Sequence, residues 1–389
     1  MQYRTQKNIT LSEIGVGCYA LSGAYGQKDP DAYRQMLLQA IHSGITFFDT
    51  ADTYGDLAET LLGEVIHPFR QQIQLATKVG MRGGHKPDLS RAAVIAACEG
   101  SLRRLNTEWI DLYQVHYDDP ATPVAETIGA LEALAQSGKI RRYGIGHLPM
   151  ERIHEYLATG QVFSGQFELS GVARDTRSEI VPLLQAHQAR LIAFSVTGRG
   201  LLTGRYLQNP TFEPGDIRSI DPLFQRERYM SAQRTAARFA ALGRCYGKSM
   251  VQTAIAWVLA QPGVLCALTG PSTAEHLVEN LGGSGWHIEA EHLAELEAYF
   301  NEEDRQVCAA QIHTVQSILR QPLSIDPSAA AQDLIYVMET AITAGWVSQE
   351  AVIPIFRTVY QTRNSPDADT PAALERARQE LARLIQPSQ

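Results

Sequence analysis

Short apolar runs alternate with longer amphipathic segments over the first three hundred residues of the chain. The runs are nearly continuous, which is typical of parallel strands covered by helices. The segments between them, such as Ala32–His42, Ser90–Leu105 and Val124–Gln136, repeat apolar residues at helical spacing. The eight predicted strands are Ile14–Tyr19, Ile45–Asp49, Ile73–Lys78, Ile110–His116, Ile140–Ile145, Val162–Phe167, Leu191–Ser195 and Val264–Thr269. This order fits an α/β protein that is either a closed (β/α)8 TIM barrel or a large doubly wound sheet.

Glycine positions help to decide between these two folds. Gly15, Gly17 and Ala20 formally match the GxGxxA turn of doubly wound dinucleotide-binding sheets. Such a turn leads from a strand into a helix, and an acidic residue follows about 20 residues later. Here the glycines fall inside the first predicted strand, and Asp49 lies too far along. We therefore predict the barrel, with Tyr25 of the following SGAYG segment lining a substrate pocket.

The pattern changes after about Asn301, where three further helical segments are predicted, with breaks at Gln321-Pro322, Gly345 and Asn364–Asp367. We expect a barrel domain over residues 1–305 and a helical C-terminal extension over 306–389. Two apolar stripes run along the extension: Leu334, Ile335, Met338, Ala341 and Ile342, then Leu374, Leu381, Leu384 and Ile385. Because such short helices are unstable alone, the stripes must be buried on the barrel, over the substrate mouth or in a homo-oligomer interface.

Composition and charge exclude several classes of protein. The net charge of −8, without a basic cluster, argues against a nucleic-acid partner. No stretch approaches the ~18 apolar residues of a membrane span, and the N-terminus lacks the apolar core of a secretory signal. The five scattered cysteines predict neither a disulfide framework nor a metal site. We expect a cytoplasmic protein that acts on a small molecule.

Polar side chains end three consecutive predicted strands. Asp49 closes the second strand in FFDTADTYG, Lys78 the third in LATKVG, and His116 the fourth in DLYQVHYDD, while Tyr54 lies in the loop after the second. Neighbouring parallel strands are about 4.8 Å apart, so these ends converge at the face where barrel enzymes place their active sites. Alone, each residue has an ordinary structural explanation. Together they favour a catalytic site.

The four side chains suit proton transfer to a reacting carbonyl. A carbonyl that receives hydride becomes an alkoxide and needs a proton, which Tyr54 can supply. Lys78 is expected to pull the pKa of Tyr54 toward neutrality, and Asp49 to keep Lys78 charged and oriented. His116 can donate a hydrogen bond to the developing oxyanion.

FFDTADTYGDLAETLLGEVI resembles the strand-two signature of the aldo-keto reductase family, and the resemblance continues through roughly residues 9 to 300. It implies an oxidoreductase that transfers a hydride between a nicotinamide dinucleotide and an aldehyde, ketone or sugar. Under it, Tyr54 is the general acid/base, Lys78 its partner, Asp49 the partner of Lys78, and His116 the group that orients the carbonyl. The alternative is a non-catalytic, redox-responsive regulatory subunit that binds the cofactor, but such a protein would not need Tyr54.

The same resemblance implies a cofactor site along the later strands. Gln166 matches the family's carboxamide-binding glutamine, whereas Gly146-His147 replaces its Ser-Asn pair. Phe194 corresponds to the aromatic residue stacked on the nicotinamide, and Ser195 to the first pyrophosphate contact. TGPSTAEHLVEN resembles the adenosine-phosphate segment, in which the implied contacts are Gly270, Ser272, Thr273, His276, Glu279 and Asn280. Ser272 or Thr273 could equally be a plain helix N-cap.

The expected cofactor is NADP, the family default, with NAD plausible. Family members that demand NADP usually carry Lys or Arg along the segment equivalent to Gly270–His276, but this chain has none there, and Glu275 adds a negative charge. We therefore expect weak discrimination between the two cofactors. If discrimination is strong, Arg199 and Arg205 in the loop after strand seven are the first candidates for a phosphate-binding cation.

Overall fold

The computed structural model describes residues 1–81, 87–206, 208, 210–213, 215–364 and 369–385. The chain forms two compact units. The first combines Met1–Asp216 with Thr235–Ala290, and the second combines Ile217–Arg234 with Glu291–Gln389. The division expected between residues 305 and 306 falls inside one long helix, Ala290–Arg320, and stays a prediction.

The first unit contains a closed barrel of eight parallel strands, in which neighbours follow chain order and the last strand pairs with the first. All eight predicted strands are confirmed, with ends shifted by a few residues. The strands are β3 Ile14–Gly17, β4 Phe47–Asp49, β5 Gln74–Val79, β6 Ile110–Val115, β7 Ile140–Gly146, β8 Ser164–Glu168, β9 Arg190–Phe194 and β10 Val264–Thr269.

Helices follow the barrel strands, and local sequence explains several of their ends. Asp29 and Ser90 accept backbone N–H groups as N-caps of the first and third helices. Gly44 and Gly138, at positive φ, lie just after the first and fourth. The helices are α1 Pro30–His42, α2 Asp56–Ile66, α3 Arg91–Arg104, α4 Val124–Gln136, α5 Met150–Thr159, α6 Ile180–Ala186, α7 Arg226–Cys245, α8 Met250–Ala260 and α9 Ala274–Leu281.

An N-terminal hairpin, β1 Tyr3–Gln6 and β2 Ile9–Ser12, covers the opening at the amino ends of the barrel strands. Arg4 donates to the carbonyls of Leu259 and Val264, at 2.8 and 2.9 Å. Leu11 packs into the barrel interior. Since this end is closed, the carboxyl ends of the strands are the face left for chemistry. Sequence analysis did not predict the hairpin.

The glycines of the first barrel strand lie inside that strand, as expected, and they allow close packing. Gly15 lies in β3, and a Cβ there would be 2.8 Å from a ring carbon of Phe47. The strand continues into a short 3-10 helix, Cys18–Ser22, instead of a dinucleotide-binding turn and helix. This geometry excludes the GxGxxA interpretation.

The second unit has its own hydrophobic core, built by α10 Ala290–Arg320, α11 Pro327–Thr343, α12 Gln349–Asn364 and α13 Thr370–Leu384. The predicted stripe of α11 is buried or partly buried within this core. In the stripe of α13, Leu374, Leu381 and Ile385 are buried, but Leu384 is exposed. The stripes are thus buried against one another. Residues 365–367 of the third predicted break lie outside the described residues.

In the described part of the chain, no helix combines the length and apolar character required to cross a membrane.

Candidate active site

A buried ion pair lies at the carboxyl end of the barrel. Lys78, near the end of β5, donates to Oδ1 of Asp49, the last residue of β4, at 2.5 Å. The same ammonium donates to the carbonyl of Thr50 at 2.8 Å and to the phenol oxygen of Tyr54 at 3.3 Å. An ammonium has three N–H bonds, so these three contacts engage all of them.

Tyr54 is placed by a turn between β4 and α2. Its backbone N–H donates to the carbonyl of Ala51, and Gly55 follows at a φ of +82°. Burial raises the pKa of Tyr54 well above its ordinary value, and the carboxylate of Asp49 adds to the effect. This direction is opposite to the expected shift toward neutrality, because burial of the phenol is the largest effect on its pKa. Tyr54 is therefore held as a protonated phenol, which can donate a proton.

His116 completes the group of four directly after β6. Its ring centroid is 5.8 Å from that of Tyr54, and Thr53 Oγ1 lies 3.4 Å from its Nδ1. Burial lowers the pKa of His116 well below its ordinary value, and the charge of Lys78 lowers it further. When Thr53 donates to Nδ1, the neutral ring carries its proton on Nε2 and can donate it to an oxyanion. The structure thus brings all four predicted residues together.

Two buried glutamines donate hydrogen bonds to the carboxylate of Asp49. Gln114 Nε2 donates to Asp49 Oδ2 at 3.1 Å and to Gln166 Oε1 at 2.6 Å. Gln166 Nε2 in turn donates to Asp49 Oδ1 at 3.2 Å. Burial raises the pKa of Asp49, whereas Lys78 and these two amides oppose the rise by stabilising the carboxylate. Gln166, expected to contact a carboxamide, is therefore already engaged with the ion pair.

Aromatic rings surround the phenol of Tyr54. Tyr19 lies edge-on to it at 5.0 Å between centroids, and Tyr25 lies 5.5 Å beyond Tyr19. On the other side, Tyr117 packs 4.3 Å from the ring of His116. Tyr25 therefore contacts the site through Tyr19, and its role in lining a substrate pocket stays a prediction.

The other residues predicted to bind a cofactor lie after β7, β9 and β10. His147 and Phe194 face each other at 5.2 Å, and Ser195 follows with a φ of +51°. Thr273 is the N-cap of α9 and accepts from the N–H of His276, so the ordinary capping explanation holds for it. Glu279 accepts from the hydroxyl of Ser249. Gly270 has open space around it, Ser272 Oγ lies 3.4 Å from His276 Nδ1, and Asn280 is buried.

The family model described as "Aldo/keto reductase family" matches residues 13–300. This chain belongs to the aldo/keto reductase family. The match ends inside α10, so α11, α12 and α13 lie beyond it.

Several family members are similar to most of this chain. "Aldo-keto reductase YhdN" of Bacillus subtilis (strain 168) is 33% identical over 296 residues, 73% of this chain and 88% of that protein. "Probable aldo-keto reductase 1" of Glycine max is 32% identical over 298 residues, which are 75% of this chain and 86% of that protein. The solved structure of glycerol dehydrogenase AKR11B4 from Gluconobacter oxydans superposes on this chain with a TM-score of 0.71 at 29% identity. The superposition covers 77% of this chain and 95% of that one.

The arrangement fits the nicotinamide dinucleotide that the family implies. Arg205 is in the loop after β9, and its Nη2 atom lies 3.1 Å from Nε2 of His276. Within the described residues, its guanidinium forms no ion pair with a carboxylate. This guanidinium lies close to the N-terminus of α9, where the described residues give it no counterion, so it suits a phosphate group. By contrast, Arg199 pairs with Glu168 at 2.9 Å.

Sequence analysis predicted neither the contact of Gln114 with Asp49 nor that of Arg205 with His276. Gln114 gave a signal, because it is a polar residue inside the apolar run DLYQVH, two positions before His116. Residues two apart on a strand point to the same side, so Gln114 could have been placed under the ion pair. Arg205 and His276 are far apart in the chain, and no local pattern predicts their contact.

Proposed function

We propose that this chain transfers a hydride between a nicotinamide dinucleotide and a carbonyl or alcohol substrate. The observation that carries the proposal is the contact of Lys78 with both Asp49 and the phenol of Tyr54, beside the neutral ring of His116. A bound reduced cofactor supplies the hydride. The protein supplies the proton and a hydrogen bond for the oxygen that becomes negative.

In this proposal, His116 donates to the carbonyl oxygen and orients it. As the carbonyl carbon gains hydride, the Tyr54 phenol gives its proton to that oxygen, and the alcohol forms. The phenolate left behind accepts a charge-assisted hydrogen bond from Lys78. In the reverse direction, the phenolate takes the proton from the alcohol.

Two further observations narrow the substrate and the cofactor. The similarity to a glycerol dehydrogenase favours small hydroxylated alcohols and carbonyls among the aldehydes, ketones and sugars that the family suggests. The position of Arg205 beside His276, at the start of α9, favours NADP, with Arg205 as the residue that would hold its 2′-phosphate.

The first test is consumption of reduced cofactor in the presence of aldehydes, ketones and sugars. Turnover supports an enzyme. Tight cofactor binding without turnover on any substrate would favour the redox-responsive regulatory subunit.

Cofactor choice gives a separate prediction. Arg205→Ala should weaken binding of NADPH about tenfold to a hundredfold and leave that of NADH within about twofold, since a hydrogen bond to a charged group contributes about 1.5–3 kcal/mol. Fluorescence titration of both cofactors measures these dissociation constants. Arg103→Ala is the matched control, because it removes an exposed arginine in the last turn of α3, away from the loop that follows β9. An equal loss of affinity for NADPH and NADH would show that Arg205 does not bind the 2′-phosphate.

A further inference from the structure

A second histidine lies beside His116 at the carboxyl end of the barrel. His147 directly follows β7, with a backbone φ of +49° and an exposed side chain. Its ring stacks on Tyr117 at 5.6 Å and lies against Phe194 at 5.2 Å. These two aromatic neighbours restrict the orientation of the ring plane.

The nitrogens of His147 are not used by the protein. Within the described residues, they make no hydrogen bond, and the recorded contacts of the side chain are with aromatic rings. In its neutral form, the ring offers one N–H donor and one acceptor nitrogen.

The position before His147 supplies no polar side chain. A Cβ at Gly146 would lie 2.9 Å from the carbonyl oxygen of Gln166, so even a serine would require the backbone to move. Any side-chain hydrogen bond from this turn to a ligand must therefore come from His147.

The rings of His116 and His147 are 5.7 Å apart at an angle of 60°. A small molecule that touches both imidazoles needs two polar atoms close together. If His116 binds the carbonyl oxygen, a hydroxyl group on the neighbouring carbon lies close enough to reach the second ring. An α-hydroxy aldehyde or α-hydroxy ketone meets this requirement, as does the corresponding vicinal diol.

We propose that His147 is a specificity-determining residue that hydrogen-bonds the hydroxyl group next to the reacting carbonyl, and so selects α-hydroxy carbonyl compounds. This inference rests on the proposed function, because it takes the oxygen bound at His116 to be the one that reacts. The neutral ring of His147 can donate to that hydroxyl or accept from it.

The test compares propanal with 2-hydroxypropanal, which differ by the one hydroxyl group. His147→Phe keeps a stacked ring and removes both nitrogens. His147→Asn keeps hydrogen-bonding capacity and tolerates the left-handed backbone. In His147→Phe, kcat/KM for 2-hydroxypropanal should fall about tenfold while that for propanal stays within about twofold, which is the size expected for one neutral hydrogen bond. His147→Asn should recover part of the loss, and a titration with NADPH is carried out on both variants because His147 is also a predicted cofactor contact.

The other outcomes overturn the inference in recognisable ways. Equal losses for both aldehydes with weaker binding of NADPH would mean that His147 holds the cofactor's carboxamide. Unchanged kinetics with both aldehydes would mean that it contacts neither ligand. If the wild-type protein reduces propanal, the proposed function stands in both cases. If it reduces neither aldehyde nor any other carbonyl, the proposed function fails and the role of His147 fails with it.

Discussion

Tyr54→Phe should lower kcat by about 10²–10⁴-fold, the usual contribution of a positioned general acid. The substitution removes the phenolic proton next to Lys78 and leaves the ring against Tyr19 and His116. Because the ring stays, the Kd of the cofactor should not change. Single-turnover rates and cofactor titrations measure the two quantities separately.

Tyr117→Phe is the matched control for this substitution. Tyr117 also carries a phenol beside His116, but the ammonium of Lys78 donates to Tyr54. Its hydroxyl should therefore be dispensable for the proton step. Near wild-type turnover in Tyr54→Phe, or an equal loss in Tyr117→Phe, would contradict the role proposed for Tyr54.

Lys78→Met should lower kcat by about 10²–10³-fold, comparable with the loss of one donor that stabilises a developing oxyanion. The missing donor is the ammonium that stabilises the phenolate of Tyr54 after proton transfer. The variant also leaves Asp49 buried without its cation, and breaking a buried pair in this way costs about 3–5 kcal/mol of stability. Thermal unfolding and single-turnover kinetics follow the two effects.

A second variant separates stability from catalysis. Asp49→Asn combined with Lys78→Met removes both charges and should recover much of the stability. It should not recover kcat, because Tyr54 still lacks the ammonium. If the double variant regains turnover together with stability, Lys78 acts through folding alone.

The barrel was predictable because its strands are apolar runs, and the four site residues because each breaks or directly follows such a run. The hairpin was not, since β1 and β2 are largely polar and their turn relies on positive φ at Lys7 and Asn8. Amphipathic spacing in α11 and α13 predicted burial but not the partner, which proved to be the other helices of the second unit.

The pKa shift of Tyr54 and the position of Arg205 were the features of the site that the sequence predicted least well. The proximity of Lys78 and Tyr54 could be predicted from strand order, but the direction of the pKa shift of Tyr54 could not. It depends on how deeply the phenol is buried and how closely Asp49 approaches Lys78. The contact between Arg205 and His276 likewise depends on the course of a long loop.

The central claim is that this barrel transfers a hydride to a carbonyl carbon. The most direct measurement uses NADPH deuterated at both C4 positions, with 2-hydroxypropanal as the acceptor and mass spectrometry of the product. We predict one deuterium on the carbon of the former carbonyl in 1,2-propanediol, and that this product is nearly absent with Tyr54→Phe. Tight binding of the labelled cofactor to the wild-type protein, with no deuterium transferred to this or any other carbonyl, would contradict the claim.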